Sequence, residues 1–185
     1  MSGRPAKKHP KKGHVLVLRT CEKDGTSYEG FQWPRKGKVE APDWDPRPEC
    51  GRGLHGWLRG EGDGGLIIGG EDRLWLVVSV KEADIVDLRG KVKFPQGEVI
   101  FCSDRVKATA IIQAAYPDAV VIGGTATAGY KGTATAGVGG TLVLSYWDLR
   151  RRVVVGYVGE GGIEANTPYR LDAEHKFVEA NPGKT

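Results

Sequence analysis

The amino-acid sequence predicts an α+β protein that is mainly β, with an N-terminal mixed β region containing one helix, a short β-solenoid-like repeat segment and a C-terminal β cap. Three observations predict this class. Short apolar runs bounded by Gly, Pro and Asp predominate, one stretch has helical spacing, and an octapeptide pattern recurs after Pro117. The expected segments are a disordered basic tail, an N-terminal domain, the repeat and the cap, at residues 1–14, 15–116, 117–148 and 149–185.

Composition is that of an ordinary globular chain. The 185 residues are 39% hydrophobic and 27% charged, with a net charge of +4. No apolar run approaches the length of a membrane span, and no apolar segment follows the basic N-terminus as in a signal peptide. We therefore expect a cytoplasmic protein that does not bind membranes. The Lys-rich tail favours a solubilising role, with nucleic-acid binding as the alternative.

The three cysteines, Cys21, Cys50 and Cys102, form no disulfide framework because their number is odd and their spacing irregular. Cys21 and Cys50 could hold zinc together with His55, but the chain lacks the C-x-x-C pairs typical of such sites. We expect three reduced, at least partly buried thiols, no metal site and no cofactor.

The N-terminal elements are predicted from short apolar runs. "VLVLRT" (residues 15–20) indicates a buried strand and "KDGT" a turn. "YEGFQWP" predicts a second short strand, and residues 38–41 a third. "HGWLRG" (residues 55–60) has the composition of a single helical turn in a Gly-rich loop.

The middle of the chain gives clearer signals. Residues 73–80 predict a strand, and two more are expected around 85–88 and 98–102. Asp104 is a good N-cap for the one predicted helix, which runs up to a proline. Its apolar face is expected at Val106, Ala110, Ile111 and Ala114.

From residue 117 the chain reads PDAVVIGG, TATAGYKG, TATAGVGG, TLVLSYWD, so that Thr125, Thr133 and Thr141 fall in register. Alternating Thr and Ala predict short stacked strands with methyl groups on one face and threonines on the other. Thr125, Thr127, Thr133 and Thr135 would then form a two-by-two array. Residues 149–185 predict further short strands that end in a frayed tail at 181–185.

The segments "GGTATAGYKGTATAGVGG", "GYVGEGGIEANTPYRLD", "ECGRGLHG" and "GKVKFPQGEVIFCSD" resemble an uncharacterised bacterial and phage-encoded family with octapeptide repeats. The repeats also resemble those of ice-nucleation proteins, which form a β-solenoid. The resemblance implies a phage or prophage context. It covers nearly the whole chain after residue 14 and implies no particular activity.

"VLVLRT" and "PQGEVIF" resemble strand motifs of R-S-E-type ADP-ribosyltransferases. The resemblance implies that Arg19 binds a phosphate of NAD, that Gln96 orients the acceptor and that Glu98 stabilises an oxocarbenium ion. The middle Ser-Thr-Ser motif is missing, and His55 is the one polar candidate there. This enzyme is the alternative function, and it predicts a pocket where Arg19, His55 and Glu98 converge. Otherwise Arg19 is a solvated strand-end charge.

"SYWDLRRR" places aromatic and basic residues together, as at the centres of protein interfaces. A core Trp beside a solvated hairpin tip is the other interpretation. Our first choice is a non-enzymatic, phage- or prophage-associated interaction protein that binds a host or phage protein and inhibits a host defence system. Oligomers through solenoid edges are an open alternative. The expected binding residues are Tyr146, Trp147, Arg150, Arg151 and Arg152.

Overall fold

The computed structural model describes residues 10–67 and 72–180. The chain divides into two compact units, Met1–Ala119 and Val120–Thr185. Most of the predicted basic tail, residues 1–9, lies outside the described residues, as does the frayed end predicted at 181–185. The remainder of the tail is structured, which corrects its predicted boundary: the backbone N–H of His14 donates to Lys11 O and begins the first strand there.

The N-terminal unit contains a seven-stranded sheet. Its strands are β1 (His14–Cys21), β2 (Gly37–Glu40), β3 (Leu54–Leu58), β4 (Leu74–Lys81), β5 (Val86–Asp87), β6 (Val92–Phe94) and β7 (Gln96–Ser103). They lie in the order β2-β7-β4-β1-β3-β6-β5, and all neighbouring strands are antiparallel. The central strands β1 and β4 are buried along nearly their whole length, which is why both appear in the sequence as continuous apolar runs.

The one α-helix among the described residues is α1 (Arg105–Ala115). Asp104 caps it by accepting a hydrogen bond from the backbone N–H of Lys107, 2.9 Å away, which confirms the predicted cap. The predicted apolar face is wrong: Val106 is 64% exposed, and the buried positions are Ala108, Thr109 and Ile112. The coarse prediction, mainly β with one helix, is confirmed.

Two other local predictions in the N-terminal unit are wrong. Tyr28–Gly30 is a 3₁₀ turn rather than a strand, with Glu29 at a φ of 55°. "HGWLRG" begins in strand β3 rather than in a helical turn, because Leu54–Leu58 pairs with both β1 and β6. The pairing of β3 with β6 is non-local, so the Gly-rich sequence around β3 gave no sign of it.

The C-terminal unit contains the strands β8 (Thr125–Ala128), β9 (Ala134–Thr135), β10 (Thr141–Asp148), β11 (Arg150–Tyr157), β12 (Pro168–Leu171) and β13 (Phe177–Glu179). They form two three-stranded sheets, ordered β11-β10-β8 and β13-β12-β9. A core of buried side chains lies within this unit. It combines residues of the repeat with residues that follow it in the chain: Ala134, Ala136, Leu142, Leu144, Ile163 and Tyr169.

Successive octapeptides go to different sheets. Thr125 of β8 pairs in parallel with Thr141 of β10, a spacing of 16 residues, and the intervening octapeptide supplies β9 in the other sheet. Alanines point into the core and Thr125 and Thr127 are exposed, as the alternation predicts. The predicted two-by-two array is wrong, because Thr135 lies in the second sheet. The solenoid-like arrangement as a whole stays a prediction.

Candidate functional site

Arg19 is a largely buried cation on the core side of the N-terminal sheet. It lies on β1 between Val17 and Cys21, and both neighbours on its face are buried. Its Nη1 donates a hydrogen bond to the carbonyl of His55 at 3.3 Å, and its guanidinium lies 5.3 Å from the ring centre of Trp33. The expectation of a solvated strand-end charge is therefore wrong.

His55 lies on β3 with Lys93 of β6 opposite it. Its Nε2 is buried and has no hydrogen-bond partner within the described residues. Burial, followed by the charges of Lys91 and Arg19, lowers the pKa of His55 to about 4. The imidazole is therefore neutral at pH 7, where it can accept or donate one hydrogen bond at each ring nitrogen according to tautomer.

Arg19 and His55 line one cavity of about 580 Å³. Its walls carry the aromatic side chains of Tyr28, Phe31 and Trp33. Phe31 contacts Trp33 edge to face at 5.6 Å, and Trp33 Nε1 donates to Ser27 Oγ at 3.0 Å. The aromatic wall is thus held by contacts within its own loop.

Glu98 lies on the other face of the sheet. Arg19 pairs with Leu76, which shares a face with Val78, and Val78 pairs with Val99. Since successive side chains alternate between faces, Glu98 projects away from the face that carries Arg19. The chain therefore does not bring these two residues together.

Glu98 and Gln96 instead line a separate cavity of about 310 Å³ with His14 and Lys38. Glu98 Oε2 accepts a hydrogen bond from Lys11 Nζ at 3.1 Å, and both side chains are well exposed. The predicted convergence of Arg19, His55 and Glu98 is wrong, and the transferase alternative has no support in this geometry.

The cysteines are free thiols in different surroundings. Cys50 is exposed, which corrects the prediction that all three are at least partly buried. Its Sγ lies 3.0 Å from Lys91 Nζ, and this hydrogen bond lowers the pKa of the thiol. Burial raises the pKa of Cys21 to about 11 and also raises that of Cys102. In the described part of the chain, no three potential ligands gather as a metal site would require.

We expect iodoacetamide at pH 7 to alkylate Cys50 before Cys102 and Cys21, because Cys50 is exposed and its thiolate accepts a hydrogen bond from Lys91, whereas burial raises the pKa of the other two thiols. Mass spectrometry of the labelled peptides over time measures the three rates. Lys91→Met should slow the alkylation of Cys50 by about threefold to tenfold, whereas Lys81→Met, at an exposed lysine elsewhere in the unit, should not. Equal rates at the three thiols would contradict this assignment.

The C-terminal unit exposes a row of large apolar side chains on one face of its first sheet. The inward side chains of β10 include Leu142 and Leu144. The opposite side, here called the outer face, carries Trp147 (66% exposed), Val153 (55%), Val155 (46%), Tyr157 (51%) and Arg151. Such a row on a sheet whose other side forms the core marks a candidate interaction surface.

The outer face is organised by the β10–β11 pairing. Trp147 lies opposite Arg151 in the register, and Ser145 lies opposite Val153. Arg151 donates to Ser145 Oγ from Nε and Nη2, at 3.2 and 2.9 Å. These bonds hold the Arg151 guanidinium beside the Trp147 indole. A partner that binds there would therefore cause little further loss of side-chain entropy.

The other predicted binding residues project from the opposite side of the hairpin. Tyr146 stacks on His175 with ring centres 3.8 Å apart, and Arg152 Nη2 lies 3.7 Å from Asp148 Oδ2. Arg150 is exposed next to the hairpin tip. Tyr146 and Trp147 both border a cavity of about 450 Å³ in this unit, together with Arg170 and His175.

Sequence reasoning missed Val153, Val155 and Tyr157. The signal was present in "RRVVVGYVG", where apolar residues occupy consecutive positions and therefore lie on both faces of the strand. An edge strand with one solvated face would instead alternate apolar and polar residues. Tyr28, Phe31 and Trp33 were missed as cavity residues because their segment was assigned to a strand.

The chain is similar to ice nucleation proteins. It is 38% identical over 106 residues to one from Pseudomonas syringae, 37% over 100 residues to one from Pseudomonas fluorescens, and 34% over 105 residues to one from Xanthomonas campestris pv. translucens. These alignments cover 56%, 53% and 56% of this chain but only 9%, 8% and 7% of the relatives. No protein-family profile and no solved structure matches.

These similarities support an ice-nucleation-like, repeat-containing protein. The matched 106 residues are more than Val120–Thr185 contains, so the similarity also includes part of the N-terminal unit. Among the described residues, no helix has the length and hydrophobicity needed to cross a membrane.

Proposed function

We propose that this protein is a non-enzymatic interaction protein that binds another protein through the outer face of its C-terminal unit. The observation that carries the proposal is the row of exposed Trp147, Val153, Val155 and Tyr157 on a sheet that already has its core on the other side. Burying such side chains against a partner removes apolar surface from water, at about 25 cal/mol per Å² before the costs of association.

The partner surface should have an apolar centre and an acidic rim. Arg151 lies within the row, Arg150 is exposed near it, and Leu149 at the hairpin tip is 98% exposed. Trp, Tyr and Arg are the side chains that most often contribute large binding energies at protein interfaces. A ring of carboxylates on the partner would pair with the arginines and keep them oriented.

The repeat supplies the rigid base of this surface under our proposal. The 16-residue return from Thr125 to Thr141 corresponds to one turn of a β-solenoid built from two octapeptides. In this view β11 and β12 cap the turn by pairing with β10 and β9. β8 and β9 are each terminal in their sheets, so a second copy could add strands there, and light scattering of the eluted protein would detect such oligomers.

The biological setting is proposed from the motif resemblance alone. The resemblance to a bacterial and phage-encoded family suggests a host protein as the partner, in the bacterial cytoplasm, and inhibition of a host defence system as the outcome of binding. Nucleic-acid binding through the Lys-rich tail is a weaker proposal, because residues 1–14 contain no Phe, Tyr or Trp on which bases could stack.

Affinity capture from a bacterial lysate, followed by titration of the purified captured protein, tests this function. Trp147→Ser is expected to weaken binding by about 30-fold or more, as for a central aromatic contact. Val106→Ser is the matched control, since it also removes an exposed apolar side chain, but from α1. Its affinity should stay within about threefold of the unmodified protein.

Circular dichroism must show that both variants remain folded. The proposal is contradicted if no captured protein depends on Trp147, or if the serine variant binds the purified partner as tightly as the control does. Loss of binding in both variants would equally contradict a surface confined to the outer face.

A further inference from the structure

The N-terminal unit contains a cation whose charge is not balanced by its surroundings. Among the residues that the structure describes, Arg19 forms no salt bridge, and its side chain makes one hydrogen bond, to the carbonyl of His55. Its Nε is buried and unpaired with any of those residues. A guanidinium has five N–H donors, so most of this one's capacity is unused.

Burial makes this arrangement unfavourable in the ligand-free protein. It lowers the pKa of Arg19 because the charged form is desolvated, and Trp33 offers only its ring face in return. An apolar side chain would avoid that cost. The same burial means that an anion arriving at Arg19 would be attracted with little screening by solvent.

The cavity beside Arg19 is large enough for a small organic molecule. Its volume of about 580 Å³ falls within the range of ligand sites. The lining includes Tyr28, Phe31 and Trp33, so a planar ring would meet aromatic surface on entering. This combination distinguishes the cavity from the one at Glu98, which has no aromatic lining residue.

The remaining charged groups do not neutralise Arg19. Arg52 adds a second cation to the lining, and it lies 3.5 Å from Asp45. Two carboxylates also line the cavity: Asp43 Oδ1 accepts a hydrogen bond from the backbone N–H of Gly53 at 3.1 Å, and Glu29 lies on the exposed 3₁₀ turn. Neither carboxylate lies within salt-bridge distance of Arg19.

We propose that this cavity binds a small organic anion, a carboxylate or phosphate group attached to a planar ring, with Arg19 binding the anionic group and the Tyr28–Phe31–Trp33 wall binding the ring. His55 supplies a further polar contact through Nε2, which has no partner among the described residues. Side chains of the cavity must shift to bring the buried nitrogens into contact with a ligand. The proposal does not depend on the outer face of the C-terminal unit.

Isothermal titration with three probes tests the site: benzoate, adenosine 5′-monophosphate and inorganic phosphate. At least one ring-bearing anion should bind about tenfold more tightly than inorganic phosphate, because it alone reaches the aromatic wall. If benzoate binds more tightly than the nucleotide, the site prefers a carboxylate. If the nucleotide binds more tightly than benzoate, the site prefers a phosphate group. Binding of inorganic phosphate alone, or no saturable binding at about 10 mM of either ring-bearing probe, would overturn the proposal.

Arg19→Met should lower the affinity for the ring-bearing probe by about 30-fold, the usual effect of losing a charge-assisted contact. Arg35→Met is the control, since Arg35 is an exposed arginine of the same unit and is absent from the cavity lining. It should bind within about twofold of the unmodified protein. Unchanged affinity in Arg19→Met would overturn the proposal.

Thermal unfolding without ligand separates this role from a structural one. Because the charge of Arg19 is uncompensated, the methionine variant should melt at the same temperature as the unmodified protein or higher. A strongly lowered melting temperature would show that Arg19 stabilises the fold, and would overturn its assignment as a binding group.

Discussion

Leu142→Ala is expected to lower the free energy of unfolding of the C-terminal unit by about 2–5 kcal/mol. Leu142 is completely buried in a core whose neighbouring repeat residues are mostly alanines, among them Ala134 and Ala136. Short side chains on β-strands cannot move far enough to fill the space that a leucine leaves. At about 0.05–0.15 kcal/mol per residue, a unit this small has total stability of similar size, so the variant should be largely unfolded there.

Hydrogen exchange followed by mass spectrometry measures this effect separately in each unit. Protection should fall in β8, β10 and β12 of the variant and persist in β1 and β4, whose buried residues belong to a different cluster. Val138→Ala, at a position of the same repeat that is 36% exposed, is the control and should lower the free energy of unfolding by no more than about 1 kcal/mol. Retained protection in β10 of Leu142→Ala would contradict the account of this core.

Gly56→Ala is expected to destabilise the N-terminal unit by about 1–3 kcal/mol. Gly56 lies on β3, where a Cβ atom would contact Val17 Cγ1 and approach Leu18 O to 2.6 Å. A backbone carbonyl within the β1 ladder cannot retreat without breaking strand pairing, so the added methyl overpacks the site. The midpoint of urea-induced unfolding, monitored by tryptophan fluorescence, measures the loss.

Gly129→Ala is the matched control for the glycine exchange. Its Cβ would have no atom within 4 Å, and its φ is not in the left-handed region. It should therefore be neutral or slightly stabilising, because alanine reduces the entropy of the unfolded chain. Equal unfolding midpoints for the two variants would contradict the tight approach of β3 to β1.

The sequence was sufficient for elements whose signals are local. The runs at β1 and β4 and the Asp104 cap were predicted because buried strands and N-caps have a clear composition. The buried face of α1 was misassigned for a reason that is visible only in three dimensions. Thr109 can be buried because its Oγ1 bonds to Arg105 O at 3.0 Å, whereas apolar Val106 is left exposed.

The candidate sites depend on pairings between distant segments, which the sequence does not display. Arg19 and His55 meet because β3 pairs with β1. Arg19 and Glu98 are separated because alternation along β7 places Glu98 on the opposite face. The repeat shows the same limitation: its octapeptide period is plain in the letters, but only the parallel pairing of Thr125 with Thr141 reveals that alternate octapeptides enter different sheets.

The outer face is tested most directly as a protein-binding surface by one quantity. This is the dissociation constant between the purified partner and the Trp147→Ser variant. An increase of about 30-fold or more is expected for this variant, whereas Val106→Ser should stay close to the unmodified protein. A dissociation constant unchanged by Trp147→Ser in a folded protein would contradict the claim.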